Sequence, residues 1–190
     1  MNKTYIQDRA FDKIDFSEIG LAKAEYENCK FTNCIFSNSD LSYLKFSECE
    51  FSGCNLSMCK LNKTSLCDVK FKDCKLLGLL FEHCNEFLFT VDFENCILNH
   101  SSFFKRNLKK TKFKNCKLQE VDYTEADLSH ALFENCDLSG ATFENTNLEK
   151  ADFRTACNYS INPQNNRLKK ARFSLAGVPG LLDVYGIEIE

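Results

Sequence analysis

The feature that most constrains this chain is a period of five in its apolar residues. The first run of centres is Phe11, Phe16, Leu21, Tyr26, Phe31, Phe36, Leu41, Phe46, Phe51, Leu56, Leu61, Leu66, Phe71, Leu76 and Phe81. The pattern slips by two residues in EHCNEF, 82–87, and the second run is Leu88, Phe93, Leu98, Phe103, Leu108, Phe113, Leu118, Tyr123, Leu128, Phe133, Leu138, Phe143, Leu148 and Phe153. A helix face repeats at three and four residues and a half-buried strand at two, so the chain follows neither pattern.

The residue two places before each centre is usually small or apolar, as in Cys29, Cys54 and Ala126. Two inward residues separated by one outward residue indicate a short extended piece, and the polar residues that follow must turn the chain. The chain has only seven Gly and two Pro, so other residues must form these turns. The period of five therefore predicts a polygonal coil.

This pattern resembles the pentapeptide-repeat family, whose motif A-(D/N)-L-x-x appears in Ala126-Asp127-Leu128 and, with Cys in the first place, in Cys136-Asp137-Leu138. The resemblance implies an all-β, right-handed quadrilateral β-helix with four repeats per coil and about seven coils. We expect this β-helix over residues 1–157, with the register slip at 82–87. Residues 158–190 are expected to form a C-terminal cap.

A four-sided coil stacks residues that lie twenty apart. Allowing for the slip, one inner column is Cys34, Cys54, Cys74, Cys96, Cys116 and Cys136. Two outer columns alternate in charge, namely Lys30, Glu50, Lys70, Asp92 and Lys112, and Lys72, Glu94, Lys114, Glu134 and Arg154. Opposite charges on neighbouring strands stabilise a sheet modestly, so we interpret these columns as ladders in preference to a binding face.

Composition and motifs favour a non-catalytic protein. The N-terminus has no apolar signal segment and no apolar run is long enough to span a membrane, so we expect a cytoplasmic protein that does not contact a membrane and whose twelve cysteines are reduced. Pairs such as Cys29 and Cys34 lie five apart on different sides, whereas structural zinc sites use closer pairs. No catalytic or nucleotide-binding motif is found. We therefore predict no enzyme, no metal and no cofactor.

One segment is strongly basic. It reads FKRNLKKTKFKNCK and contains Lys105, Arg106, Lys109, Lys110, Lys112, Lys114 and Lys117 without an acid. Nucleic-acid binding is one interpretation. However, these residues span more than half a coil, which distributes their charges around the rod, so we expect no direct contact with nucleic acid.

The following coils are acidic, and their candidate partner-binding residues are Glu120, Asp122, Glu125, Asp127, Asp137, Glu144 and Asp152. Qnr-type quinolone-resistance proteins, which the chain resembles, are taken to mimic duplex DNA and occupy the DNA-binding groove of gyrase. The resemblance implies that this chain binds DNA gyrase or topoisomerase IV and shields it from quinolones or a peptide toxin. Two alternatives are an acidic surface that only aids solubility and an interaction or assembly scaffold unrelated to topoisomerases.

The C-terminal tail is similar to that of the microcin immunity protein that protects gyrase, with the shared segment Ile161-Asn162-Pro163. We expect a short helix near residues 179–185 and an extended strand over 187–190. In Qnr-type relatives this region forms a symmetric dimer, which implies a homodimer interface at Leu181, Leu182, Val184 and Tyr185. The alternative is a monomer in which the same residues cap the core.

The register slip leaves several apolar residues at positions that the repeat places outside: Leu80, Phe87, Phe89, Ile97 and Phe104. Exposed aromatic side chains there could contact a partner. The alternative is a bulge that returns Phe87 or Phe89 to the core.

Overall fold

The computed structural model describes residues 4–188, in which short strands alternate with turns. The strands are β1 (Thr4–Gln7), β2 (Ala10–Asp12), β3 (Ala24–Glu27), β4 (Lys30–Thr32), β5 (Lys45–Ser47), β6 (Glu50–Ser52), β7 (Ser65–Cys67), β8 (Val69–Lys72), β9 (Val91–Glu94), β10 (Lys112–Lys114) and β11 (Leu132–Glu134). The helical segments are α1 (Phe16–Ile19) and three 3₁₀ helices, Phe81–His83, Leu175–Leu181 and Asp183–Tyr185.

All strand pairs are parallel, and they form two sheets of a β-helix. One sheet has the order β1-β3-β5-β7, and the other β2-β4-β6-β8-β9-β10-β11. Phe31 pairs with Phe51 and Phe113 with Phe133, a register of twenty residues, whereas Phe71 pairs with Phe93 across the slip. Four repeats therefore make one coil, and the predicted quadrilateral β-helix of about seven coils is confirmed.

The four sides can be named by their inward residues. Side A carries Phe31, Phe51, Phe71, Phe93, Phe113, Phe133 and Phe153; side B carries Phe36, Leu56, Leu76, Leu98, Leu118 and Leu138; side C carries Leu41, Leu61, Phe81, Phe103, Tyr123 and Phe143; side D carries Tyr26, Phe46, Leu66, Phe89, Leu108, Leu128 and Leu148. In the later coils aromatic rings occupy opposite sides A and C, and leucines occupy B and D, as the strict alternation in the sequence predicts.

Aromatic packing shows how these residues fill the coil. The ring of Phe113 stacks on Phe93 at 5.2 Å and on Phe133 at 5.0 Å, and it meets Phe103 from the opposite side edge-on at 6.1 Å. Stacked and edge-to-face pairs are both favourable arrangements of the ring quadrupole. The interior is therefore packed with rings and aliphatic side chains through successive coils.

The turns are formed by residues in the left-handed conformation. Between residues 4 and 188, twenty-five residues other than glycine have positive φ, among them Asn95, Asn115 and Asn135. Asn tolerates this region better than most residues because its short side chain bonds locally. The three asparagines also form a ladder on the outer surface: Asn115 Nδ2 donates to Asn95 Oδ1 at 3.0 Å and Asn135 Nδ2 to Asn115 Oδ1 at 3.2 Å. Corners of the coil thus do not depend on the few glycines.

The predicted cysteine column is also present. All six of its members are buried, and the thiol of Cys136 donates to the carbonyl of Phe113 at 3.3 Å. Cys116 and Cys96 make the equivalent contacts to Phe93 and Phe71, at 3.6 and 3.4 Å. A buried thiol is a small apolar group with a weak donor, which suits this narrow inner position.

The register slip differs from the sequence expectation. The amide of Asn85 still donates to Thr64 O at 2.8 Å, in the ordinary register, whereas that of Thr90 donates to Leu66 O, three residues out of register. The extra residues therefore lie between Asn85 and Thr90. The prediction that Leu88 is an inward centre is wrong. Leu88 is 59% exposed with positive φ, and Phe89 occupies the core in its place.

The C-terminal segment closes one end of the coil. Tyr159 and Ile161 are buried at this end, and Leu181 packs against the core. A Cβ at Gly177 or Gly180 would overlap Tyr159, so the segment approaches the core at two residues without side chains. The helix is of the 3₁₀ type and begins at Leu175, earlier than predicted, where the Ser174 side chain accepts from the Gly177 amide and caps it. The predicted strand is absent at residues 187–188, and its last two residues lie outside the described chain.

Candidate protein-interaction surface

The seven predicted acidic residues do not form one patch. Glu120, Asp122, Glu125 and Glu144 lie on side C or at its two corners, within two successive coils. The other three follow the repeat to different sides: Asp127 to side D, Asp137 to side B and Asp152 to side A. The structure therefore groups four acids, which we call the acidic side, and separates the other three from it.

The aspartates stabilise the turns in which they lie. Asp122 Oδ1 accepts the amide of Thr124 at 2.8 Å, and Asp127 Oδ1 accepts that of Ser129 at 2.9 Å. This is the local bond by which Asp and Asn stabilise a turn two residues further on. It accounts for Asp or Asn in the second place of the repeat motif, independently of any partner.

Asp137 is the most extensively bonded of these carboxylates. Its oxygens accept from the Ser139 hydroxyl at 2.6 Å, from Asn158 Nδ2 at 2.8 Å and from Gln119 Nε2 at 2.7 Å. The hydrogen bond from Ser139, followed by those from Asn158 and Gln119, lowers the pKa of Asp137 to about 2. Asp137 is thus tied to three neighbouring side chains and is less available to an outside partner.

Asp152 is occupied in a similar way. Arg154 Nη2 lies 2.7 Å from its carboxylate, and Arg172 Nη1 lies 3.9 Å away on the next coil. The bond from Arg154 lowers the pKa of Asp152. Its charge is therefore compensated by two arginines on side A.

The glutamates of the acidic side project further. Glu120 lies 3.2 Å from His100 Nδ1 and Glu125 lies 3.3 Å from Lys105 Nζ, both on the preceding coil. The two carboxylate side chains remain 68% and 44% exposed. Exposed ion pairs contribute little and open readily, so both carboxylates remain accessible to a partner.

The predicted dimer residues differ in exposure. Leu181 packs against the core and Leu182 is partly buried, whereas Val184 and Tyr185 are 46% and 52% exposed. Two apolar residues outside the predicted set are also exposed, Leu175 at 90% and Ile187 at 55%, and their place in the apolar tail could have indicated them. The exposed apolar surface of the tail is therefore wider than the predicted interface.

The slip supplies a second exposed apolar group. Phe87 is 74% exposed and adjoins the exposed Leu88, whereas Phe89 is buried, so each of the two sequence interpretations holds for one phenylalanine. Ile97 and Phe104 are partly covered, and Lys105 Nζ lies 4.7 Å from the centre of the Phe104 ring.

Arg106 is buried, although it lies in the strongly basic segment, where exposed residues are expected. It stands two places before the centre Leu108, in the inner column that holds Thr64, Cys84 and Ala126, and its side chain is only 6% exposed. Its Nη1 donates to Cys84 O at 3.1 Å. The sequence signal for this burial was an arginine at a repeat position that otherwise holds small, inward-facing residues.

The chemistry of the thiols does not favour a reactive site. Burial raises the pKa of Cys49, Cys59 and Cys84 to about 12, which keeps these thiols protonated. Over residues 4–188, no cluster of His, Cys, Asp and Glu has an arrangement able to hold a metal ion. No helix in the same range has the length and apolar character needed to cross a membrane.

A β-helical coil of stacked five-residue repeats defines the class of protein, and comparison with family models identifies it. The description "Pentapeptide repeat region" matches residues 44–118 and 106–176, and "Pentapeptide repeats (8 copies)" matches residues 21–57. The chain belongs to the pentapeptide-repeat family.

Solved structures share this fold at low sequence identity. A trypsin-treated variant of QnrB1, a plasmid-mediated fluoroquinolone resistance protein, is 22% identical with a TM-score of 0.50, over 97% of this chain and 99% of its own. HetL, involved in heterocyst differentiation regulation in the cyanobacterium Nostoc sp. strain PCC 7120, is 17% identical with a TM-score of 0.53, over 92% and 89%. A search of curated protein sequences gave no significant match.

Proposed function

We propose that this protein acts without catalysis, by presenting its rod surface to a protein partner in the cytoplasm. The partner proposed is a type II topoisomerase, DNA gyrase or topoisomerase IV, which the protein would protect from quinolones or a peptide toxin. The observation that carries the proposal is the acidic side, where Glu120, Asp122, Glu125 and Glu144 project from a rigid coil.

Electrostatics support this choice of surface. A rigid, narrow body with carboxylates along one side can occupy a groove that binds a polyanion, since such grooves are lined by cations. The carboxylates of Asp137 and Asp152 are engaged within the molecule, so the proposed contact depends on the glutamates. The similarity to QnrB1 supplies a fold that is compatible with the proposal.

The test is a gyrase supercoiling assay with and without a fluoroquinolone. We expect the wild-type protein at micromolar concentration to inhibit the enzyme or relieve the drug, and the triple variant Glu120→Gln, Glu125→Gln, Glu144→Gln to lose the effect. The matched control is Glu18→Gln, Glu48→Gln, Asp68→Asn, which removes three exposed acids from the first coils. No inhibition and no relief by the wild-type protein would reject a topoisomerase partner, and equal loss in both triples would reject the acidic side.

We propose in addition that the C-terminal tail forms a homodimer through its exposed apolar residues. Val184 and Tyr185 would be central, since Leu181 already packs inside its own chain. Light scattering should give twice the chain mass for the wild-type protein and the single mass for Val184→Asp. A wild-type monomer at micromolar concentration would contradict the dimer.

A second candidate function is a scaffold that binds a protein unrelated to topoisomerases. The exposed pair Phe87 and Leu88 favours it, because an aromatic ring that is 74% exposed beside a second apolar side chain is suited to a protein contact. If the scaffold function is correct, the wild-type protein should have no effect in the same supercoiling assay.

A further inference from the structure

In the last coils, the corner between sides D and A carries four successive basic residues, Lys110, His130, Lys150 and Lys170, which we call the basic ridge. The first coils carry Asp8, Glu48 and Asp68 at the same corner, so the ridge is confined to one half of the rod. The amide of Lys110 donates to Ser129 O, that of His130 to Glu149 O and that of Lys150 to Lys169 O, at 3.0, 2.9 and 3.0 Å. The first three ridge residues are thus bonded to the corner of the next coil, and the four stack along the rod.

The backbone directs these side chains outward. All four have positive φ, between 60° and 66°, and all are exposed. Successive coils lie about 4.8 Å apart, so the ridge extends about 14 Å. Lys109 and Lys169 precede two of its members and widen the positive surface. Glu149 precedes Lys150, and the charge of Arg172 is shared with Asp152.

The basic ridge differs from the columns in which opposite charges meet on neighbouring coils. Lys70 stacks between Glu50 and Asp92, and Lys105 lies 3.3 Å from Glu125. Within residues 4–188, by contrast, no member of the basic ridge forms an ion pair with an acid. Like charges at the strand spacing repel, so this column lowers stability unless an anion lies against it.

We propose that the basic ridge binds the phosphate backbone of duplex nucleic acid without reading its sequence. Lysine contacts phosphate as a mobile point charge, and such contacts fix position without specifying bases. Proteins that bind single strands stack the unpaired bases on aromatic side chains. The ridge and the columns on either side contain no Phe or Tyr, so this surface is suited to a duplex and not to a single strand.

The sequence expectation of no nucleic-acid contact rested on neighbours along the chain. Those neighbours do spread around the rod, and Arg106 is buried. The ridge instead takes one residue from each of four coils. It lies at the corner diagonally opposite the one that holds Glu120, so the proposed nucleic-acid and protein contacts use different surfaces and do not depend on each other.

The test is fluorescence anisotropy with a labelled 20-base-pair duplex at 50–200 mM salt. Three lysine–phosphate contacts predict a slope of log K against log salt of about −2.7, so a fourfold rise in salt weakens binding about 40-fold. The ridge variant Lys110→Gln, Lys150→Gln, Lys170→Gln should lose this binding. The control Lys13→Gln, Lys63→Gln, Lys75→Gln removes the same charge elsewhere and should stay within twofold of wild type.

Absence of duplex binding at 50 mM salt would overturn the proposal, and so would equal loss in the two triple variants. Tighter binding of a single strand, or of a glutamate-rich peptide, would assign the ridge to a different partner and would also overturn it. Thermal unfolding checks the variants, and the ridge variant should melt at or above the wild-type temperature because repulsion is relieved.

Discussion

Arg106 bridges the irregular coil, and its replacement should be costly even though it lies in a strongly basic surface segment. Its Nη1 donates to the buried carbonyl of Cys84 at 3.1 Å and its Nη2 lies 3.2 Å from Glu86 Oε1. The arginine side chain is 6% exposed, whereas that of Glu86 is 86% exposed. Nε has no hydrogen-bond partner within residues 4–188.

The magnitude for Arg106→Ala follows from these contacts. A hydrogen bond from a charged donor contributes about 2 kcal/mol, and the two buried methylenes that alanine lacks contribute about 0.8 kcal/mol each. The pair with exposed Glu86 adds about 0.5 kcal/mol, and removal of the unpartnered Nε returns about 2 kcal/mol. The net destabilisation is about 2 kcal/mol. Arg106→Met retains most of the apolar stem and should cost about 0.5 kcal/mol.

Urea unfolding measures both variants. With an m-value of about 2 kcal/mol/M, the alanine variant should lower the midpoint by about 1 M and leave m unchanged. Glu86→Gln is the control and should shift the midpoint by less than about 0.5 M. An alanine variant within about 0.5 kcal/mol of wild type, a quarter of the change expected here, would refute the reasoning. A methionine variant as unstable as the alanine variant would show that packing of the stem is unimportant.

Three further outcomes follow from the structure. Gly177→Ala should destabilise the C-terminal segment and speed its proteolysis, because its Cβ would overlap the Tyr159 hydroxyl. Gly186→Ala has open space around it and should add only the strain of a positive φ, about 1–2 kcal/mol. A thiol reagent should react rapidly with the exposed Cys157 in the native protein and with the ten buried cysteines only after unfolding. Asp137 has its pKa lowered to about 2, so its stabilisation is complete above the unfolded value near 4 and is lost as pH falls towards 2; Asp137→Asn should flatten acid unfolding in that window.

The period of five was sufficient to predict the inner residues because each position in the repeat has one geometry. Phe113 and Cys136 could be placed from spacing alone, since any shift of one residue would turn them to solvent. The rule failed where spacing itself changed. Between Asn85 and Thr90 either Leu88 or Phe89 could point inward, and the larger ring of Phe89, packed edge-on against Phe81 at 6.3 Å, fills the widened coil.

The outer surface was harder to predict because its neighbours are twenty residues apart. Grouping acids along the chain put Asp127 and Asp152 together with Glu120, although the coil sends them to three different sides. It also concealed the basic ridge. The C-terminal tail has no repeat, so only its apolar character and its resemblance to other pentapeptide-repeat proteins could be used. The 3₁₀ helices and the close contacts at Gly177 depend on the core end that the tail covers.

The structural role of the motif aspartates changes where functional specificity should be sought. Asp122 and Asp127 bond the turn that follows them, and the same bond would form in any protein built from these repeats. Information about a partner therefore resides mainly at the corners, where the motif leaves the residue free and positive φ directs the side chain outward. Glu120 and Lys150 both occupy such corners. Opposite charges at diagonally opposed corners give the rod two distinct electrostatic surfaces without altering its core, so substitutions at corners should separate the two proposed partners while leaving the fold intact.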